Sequence, residues 1–248
     1  MNNCVCILTV IPSTVWMNFL NKFEKYDVYM MCDKNTEDFQ RLWGSEYPKI
    51  NFIQIVGSTA GNLGFKNLSS AISPQQIVNS WDKATYYFSQ INTQYDNVWL
   101  IEDDVFFHSE KTLLDIDAGN VDSDLLTNIS IPKSDDMKSS WHWHWCLFNV
   151  NLPEESQHRA MVCASRISKT LFSCINTYAK NNNTLFFLEA FFPSIAIHNN
   201  LKYSMPKEMS CIEYRHDWNS EDINTTHLFH PVKNVTAHAD NRVIERFF

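Results

Sequence analysis

One short run constrains this chain more than any other: Val98-Trp99-Leu100-Ile101 is apolar enough for a fully buried strand, it stops abruptly in Glu102-Asp103-Asp104, and apolar residues resume at Val105-Phe106-Phe107. A buried strand that ends in charge belongs to a sheet covered on both faces, with the acids at its carboxyl end, where open parallel sheets carry their ligand crevice. The preceding sequence has the same character. Apolar runs at Val5 to Ile11, Val28 to Cys32 and Phe52 to Val56 alternate with helix-like stretches at Thr14 to Phe23, Thr36 to Leu42 and Pro74 to Ile91. In the last of these, Trp81, Ala84, Tyr87, Phe88 and Ile91 recur at helical spacing. The alternation predicts βαβ units in an α/β fold with a mixed, mainly parallel central sheet flanked by helices. Beyond Asp104 the pattern loosens into a short apolar segment at Leu113 to Ile116, a polar stretch from Ser130 to Ser140, and Trp141 to Val150. A helix over Ser165 to Lys180, an apolar segment Leu185 to Ile197 and a largely irregular tail from Ser204 follow.

Size and charge narrow the classes. A chain of 248 residues fits one two-lobed α/β domain spanning 1–248, and 44% hydrophobic content with 17 Phe supplies a full core. A net charge of -8 argues against nucleic acid as the main partner, because such proteins present a basic face. The same acidity suits an anionic small substrate only if a divalent cation supplies the positive charge. Seven cysteines without a Cys-x-x-Cys pair read as reduced core residues and not as a disulfide frame or zinc site. The five Asn-x-Ser/Thr sequons, at Asn67, Asn128, Asn182, Asn224 and Asn234, are expected to be unglycosylated. The first residues lack a signal-peptide pattern and no apolar run reaches membrane-spanning length, so a cytoplasmic protein without a membrane span is expected.

Side chains alternate along a strand, so Glu102 and Asp104 share a face while Asp103 points away. Two carboxylates on one face suit an oxygen-loving divalent ion, Mn²⁺ or Mg²⁺, that also grips phosphate oxygens. The competing reading is that three acids merely open a solvated loop, against which stand the apolar flanks on both sides.

Leu100-Ile101-Glu102-Asp103-Asp104-Val105 resembles the DXD motif of GT-A glycosyltransferases, in the Glu-Asp-Asp form of the N-acetylglucosaminyltransferase I-like enzymes. The resemblance covers the order of elements over residues 4 to 108 and is strongest at the motif. It implies a GT-A fold with a nucleotide-sugar half at 1–108 and an acceptor half at 109–248. It further implies that Asp104 coordinates the metal while Glu102 and Asp103 contact the nucleotide sugar or metal-bound water. Asp33, closing the second strand, would meet the base or ribose, or be an ordinary turn acid. Ser13 would meet the nucleotide, or cap the first helix. Lys83, on the helix before the acidic strand, would face the phosphates, or lie along a surface.

The loop Gly57 to Lys66 holds three of the five glycines and is a candidate lining of the nucleotide site, although it lacks the Gly-Lys-Ser/Thr ending of a P-loop. Trp141-His142-Trp143-His144-Trp145, if extended, separates two His from three Trp. Trp143 and His144 are then candidates for an acceptor wall against a sugar ring, with core packing as the alternative. Glu189 interrupts the apolar run from Leu185 to Phe192, so its carboxylate must be paired, protonated or facing a cavity. It is the candidate general base, with a buried ion pair to Arg166 as the alternative. Near the end of the chain, the resemblance implies that His230 completes the metal site and that Lys233 faces the diphosphate.

These residues predict transfer of a sugar from a nucleoside-diphosphate sugar, UDP-sugar favoured, to the hydroxyl of a glycan or another acceptor, with Mn²⁺ or Mg²⁺ as cofactor. Two rivals stand beside it. A sugar-phosphate nucleotidyltransferase would carry a Gly-rich basic loop where this chain has Ile11-Pro12-Ser13-Thr14. A non-catalytic carbohydrate-binding protein would keep the fold without turnover.

Overall fold

The computed structural model describes residues 2–67, 78–141, 143–146 and 150–243. Four strands, β1 (Asn3–Thr9), β2 (Asp27–Cys32), β3 (Ile50–Ile53) and β4 (Asn97–Glu102), come from the first hundred residues. Later strands are short: β5 (Leu125–Leu126), β6 (Ile131–Pro132), β7 (His158–Arg159), β8 (Ala164–Ser168) and β9 (Tyr203–Ser204). Seven of them form one sheet in the order β3-β2-β1-β4-β8-β5-β9, while β6 and β7 pair separately. The β1 to β4 part is entirely parallel, and β8 enters antiparallel to both β4 and β5. The fold is therefore mixed α/β with a mainly parallel sheet, as the alternating apolar runs predict.

Helices cover both faces. They are α1 (Thr14–Leu20), α2 (Phe39–Trp43), α3 (Gly57–Gly61), α4 (Ser80–Tyr86), α5 (Glu110–Gly119), α6 (Lys133–Asp136), α7 (Trp143–Cys146), α8 (Lys169–Asn182), α9 (Leu188–His198) and α10 (Val235–Val243). The period of two along each strand divides the core. Cys4, Cys6, Leu8, Val98 and Leu100 enter one cluster with residues of α4, α8 and α9. Val5, Ile7, Trp99 and Ile101 enter the other, with Trp16, Met17 and Leu20 of α1 and Leu113 and Ile116 of α5. All seven cysteines are free, and burial pushes the Cys4 and Cys6 thiols up. No helix among the described residues is long and apolar enough to cross a membrane.

Four local expectations are corrected. Residues 165–168, expected as the start of a helix, belong to the strand Ala164–Ser168, and the helix begins at Lys169 with the Ser168 hydroxyl accepting from the Leu171 N–H. The open edge of β4 outweighs the local helical pattern here. The glycine loop instead forms the short helix α3. Gly64, at φ +88°, lies where a Cβ would come within 2.3 Å of the Ala179 carbonyl oxygen, so glycine is required there by close packing on α8. The Trp-rich segment is a helical turn over Trp143–Cys146 and not an extended wall, and the expected tail of irregular chain contains α10. The start of the Pro74 to Ile91 helix lies outside the described residues. Its visible part begins at Ser80 with a capping box between Asn79 and Asp82 and continues as a π-helical turn over Tyr87–Ile91.

Arg166, fully buried in β8, does not pair with Glu189. Its guanidinium meets Asp117 at 3.1 Å and donates to the carbonyls of Asn120 and Ser123, both at 2.7 Å. Asp117 also accepts from Asn3, Tyr26 and Trp99. This network ties α5 to three strands, and a buried charge stripped of its partner is costly. Asp117→Ala is expected to destabilise the fold by about 3–5 kcal/mol in urea unfolding, and Tyr26→Phe, which removes one donor, by about 1–2 kcal/mol. A loss below about 1 kcal/mol for Asp117→Ala would show that the network is not a structural anchor.

Candidate functional site

The acids emerge where β4 ends. The Glu102 N–H still pairs with the Cys163 carbonyl at 2.8 Å, and the Val105 N–H closes a tight turn back to the Glu102 carbonyl at 3.0 Å. Asp103 turns toward β1: its carboxylate accepts from the Thr9 hydroxyl, its carbonyl accepts from the Trp16 indole at 2.8 Å, and its N–H donates to the Leu8 carbonyl. It fastens the ends of two neighbouring strands together. Glu102 and Asp104 turn the other way, toward His230.

His230 is delivered by main-chain bonds. Phe106 and Phe229 form an antiparallel bridge, the His230 N–H donates to the Cys211 carbonyl, and the Val232 N–H donates to the Asp104 carbonyl at 2.7 Å. These place its Nε2 at 3.5 Å from an Asp104 oxygen and 3.8 Å from a Glu102 oxygen. The other ring nitrogen, Nδ1, is 2.8 Å from the Glu213 carbonyl oxygen. A carbonyl only accepts, so Nδ1 carries a proton, and Nε2 is the ring nitrogen turned toward the two carboxylates. Lone pairs converging on one point repel unless a proton or a metal cation lies between them. The donor set of two carboxylate groups and one imidazole thus fits a divalent cation. Burial pushes the Glu102 carboxyl above the ordinary range, as does Asp104, against the lowering effects of the Trp81 indole, Cys163 and His230. The Trp81 indole donates to Glu102 at 2.8 Å.

Around the ends of β1 and β2 the expected residues find protein partners. The Ser13 hydroxyl caps α1 by accepting from the Trp16 N–H at 3.3 Å. Lys83 is buried and joins Asp33 in an ion pair at 2.5 Å, so the two residues expected to face the nucleotide meet each other, with the Asp33 side chain still 30% exposed. Lys233 is exposed, one residue beyond the bond from Val232 to Asp104.

In the second half of the chain a cleft of about 590 Å³ is lined by Glu189, Trp141, Arg159, Met161, Phe187 and Tyr214, with Ser139, Ser140 and Cys146. Glu189 stands in the first turn of α9. Burial pushes its carboxyl up, the Trp141 indole at 3.1 Å partly offsets this, Glu102 raises it further and Arg159 lowers it. Arg159 is held at 2.5 and 2.9 Å by Asp136, whose carboxyl that guanidinium draws down to about 2. Trp143 is buried, with its indole on Asp136 at 2.9 Å and its ring edge-on to Trp141, so Trp141 is the tryptophan that faces the cleft. The side chain of His144 lies outside the described residues.

Sequence reasoning missed Cys163, Trp81 and Arg159, and from the tryptophan run it singled out Trp143 where Trp141 lines the cleft. Cys163 lies in an apolar run and reads as core. Only the antiparallel pairing of β8 with β4 sets it beside Glu102. Trp81 is two positions from Lys83, about 200° around a helix, and the two reach different strand ends.

No family model matches the chain, and no curated protein matches it. Solved structures with a similar course of the chain include the galactosyltransferase LgtC in complex with donor and acceptor sugar analogues, at 10% identity and TM-score 0.47 over 97% of this chain and 95% of that one. A 4-diphosphocytidyl-2C-methyl-D-erythritol synthase from Anaerococcus prevotii matches at 9% identity and TM-score 0.44, over 82% of this chain and 86% of that one. The mannosyltransferase Ktr4p from S. cerevisiae matches at 12% and 0.40, over 81% and 65%.

The Trp141 indole is a donor that holds the Glu189 carboxyl down. Trp141→Phe is therefore expected to move the Glu189 titration to still higher pH, read by NMR of a ¹³C-labelled glutamate carboxyl. An unmoved titration would break the assigned contact.

Proposed function

We propose that this chain is a GT-A type glycosyltransferase that moves a sugar from a nucleoside-diphosphate sugar, a UDP-sugar in the favoured case, to an acceptor hydroxyl in a metal-dependent reaction. The observation that carries the reading is the convergence of Glu102, Asp104 and the Nε2 of His230 at the carboxyl end of β4, together with a cleft holding Glu189 on the acceptor side. Asp104, Glu102 and His230 would hold Mn²⁺ or Mg²⁺, which when bound neutralises charge on the departing diphosphate.

The chain's own groups divide the remaining work. Asp33, its charge balanced by Lys83, offers carboxylate oxygens to ribose hydroxyls. Lys233 supplies an exposed ammonium near the Asp104 backbone for the diphosphate. Trp141 presents an aromatic face and edge to the acceptor sugar, with Trp143 packed behind it. Glu189, made more basic by burial and by Glu102, takes the proton from the acceptor hydroxyl as that oxygen attacks the sugar. The Trp141 N–H fixes which way its carboxylate points.

Calorimetric titration of UDP is expected to require Mn²⁺, with affinity lost in chelator and in Asp104→Ala. Equal affinity with and without metal would remove the reading. A base must be unprotonated, so kcat/KM is expected to rise with pH through the raised pKa of Glu189 and level off above it. Glu189→Gln should keep donor binding, lose this limb and lower transfer by about 10²–10⁴-fold. Transfer by Glu189→Gln close to that of the wild type would transfer the base role elsewhere.

A further inference from the structure

The end of β8 brings a third kind of donor to the carboxylates. Cys163 lies beside Glu102 across the β4–β8 pairing, its carbonyl accepting from the Glu102 N–H at 2.8 Å. Its Sγ, a Glu102 oxygen and a ring nitrogen of His230 all lie within 4.8 Å of one another. Thiolate, carboxylate and imidazole are the ligands from which zinc sites are assembled, and hard ions such as Mn²⁺ and Mg²⁺ have little use for sulfur. Zinc bonds of about 2.0–2.3 Å put neighbouring ligands roughly 3.3–3.8 Å apart in a tetrahedron, inside the 4.8 Å within which these three donors lie. Cys163 is buried, as His230 is, while Glu102 is half-buried.

We propose that Glu102, Cys163 and His230 form a site for a thiophilic divalent ion, Zn²⁺ first, overlapping the hard-ion arrangement of Glu102, Asp104 and His230. The two arrangements share Glu102 and His230, so they are mutually exclusive. Occupation forms a metal–sulfur bond and releases the thiol proton to solvent, with no change of oxidation state. Zn²⁺ thereby displaces the hard ion and inhibits the chain. Only this inhibition rests on the glycosyltransferase reading; ion binding stands independently of it.

The test uses the whole chain with no nucleotide or sugar present. Co²⁺, a spectroscopic substitute for Zn²⁺, is expected to give a sulfur-to-cobalt charge-transfer band in the wild type that vanishes in Cys163→Ser and persists in Cys146→Ser. Competition titrations should show Zn²⁺ displacing Mn²⁺ from the wild type. Cys163→Ser should lose at least the roughly 10–100-fold in Zn²⁺ affinity that even an outer-shell change costs, shrinking the preference for Zn²⁺ over Mn²⁺. The wild-type spectrum does not depend on how a variant folds. A wild-type spectrum without a sulfur band overturns the proposal, as does a band that survives Cys163→Ser or disappears in Cys146→Ser. A sulfur band in a chain that binds no UDP with Mn²⁺ would keep the site and discard the transferase reading alone.

Discussion

Strand β4 is walled in on every side. Its backbone pairs with β1 on one edge and β8 on the other, and Val98 to Ile101 are buried against helices on both faces. No charge can be carried along that strand without desolvation that nothing repays. Charge can appear only at its end, so Glu102 and Asp104 are concentrated at one point. The ends of the flanking strands, Thr9 of β1 and Cys163 before β8, arrive at the same level because the pairing register sets Leu8 opposite Glu102 and Ala164 opposite Ile101.

The resulting cluster is electrostatically unbalanced. Among the described residues, Lys83 is committed to Asp33, Arg159 to Asp136 and Arg166 to Asp117. Glu102 and Glu189 receive indole donors, which satisfy hydrogen bonds without cancelling charge. Among the described residues, the basic side chain that Glu102 and Asp104 approach is His230, whose Nε2 lies 3.8 and 3.5 Å from their oxygens and whose ring is oriented by a backbone carbonyl. Burial raises the proton affinity of Glu102 and Glu189, and Asp104 adds to it at Glu102 as Glu102 does at Glu189. The same imbalance favours a divalent cation, since an ion arriving there neutralises several groups at once.

Much of this was legible in the sequence because it depends on local stereochemistry. The four strands of the parallel half follow from apolar runs of strand length, and the opposed directions of Asp103 and its neighbours follow from the two-residue period of extended chain. The cap at Ser13 follows from a small hydroxyl residue before a helix. A carboxylate at Glu189 in an apolar run announced its own raised proton affinity.

What tertiary structure alone decided is which group meets which. Arg166 pairs with Asp117 and not Glu189, Lys83 turns to Asp33, Trp141 and not Trp143 faces the cleft, and Cys163 joins Glu102. Each choice depends on contacts between distant segments, above all the antiparallel entry of β8 beside β4. The local pattern of residues 165 to 180 reads as helix throughout, but the unpaired edge of a buried strand must be hydrogen-bonded, and that requirement converts its first residues to strand. The sequence by itself set where charge could surface and in which direction alternate side chains would point. Pairing across the sheet determined the company those side chains keep, because strand partners are selected by the hydrogen-bonding needs of the whole sheet and leave no periodic trace in either segment.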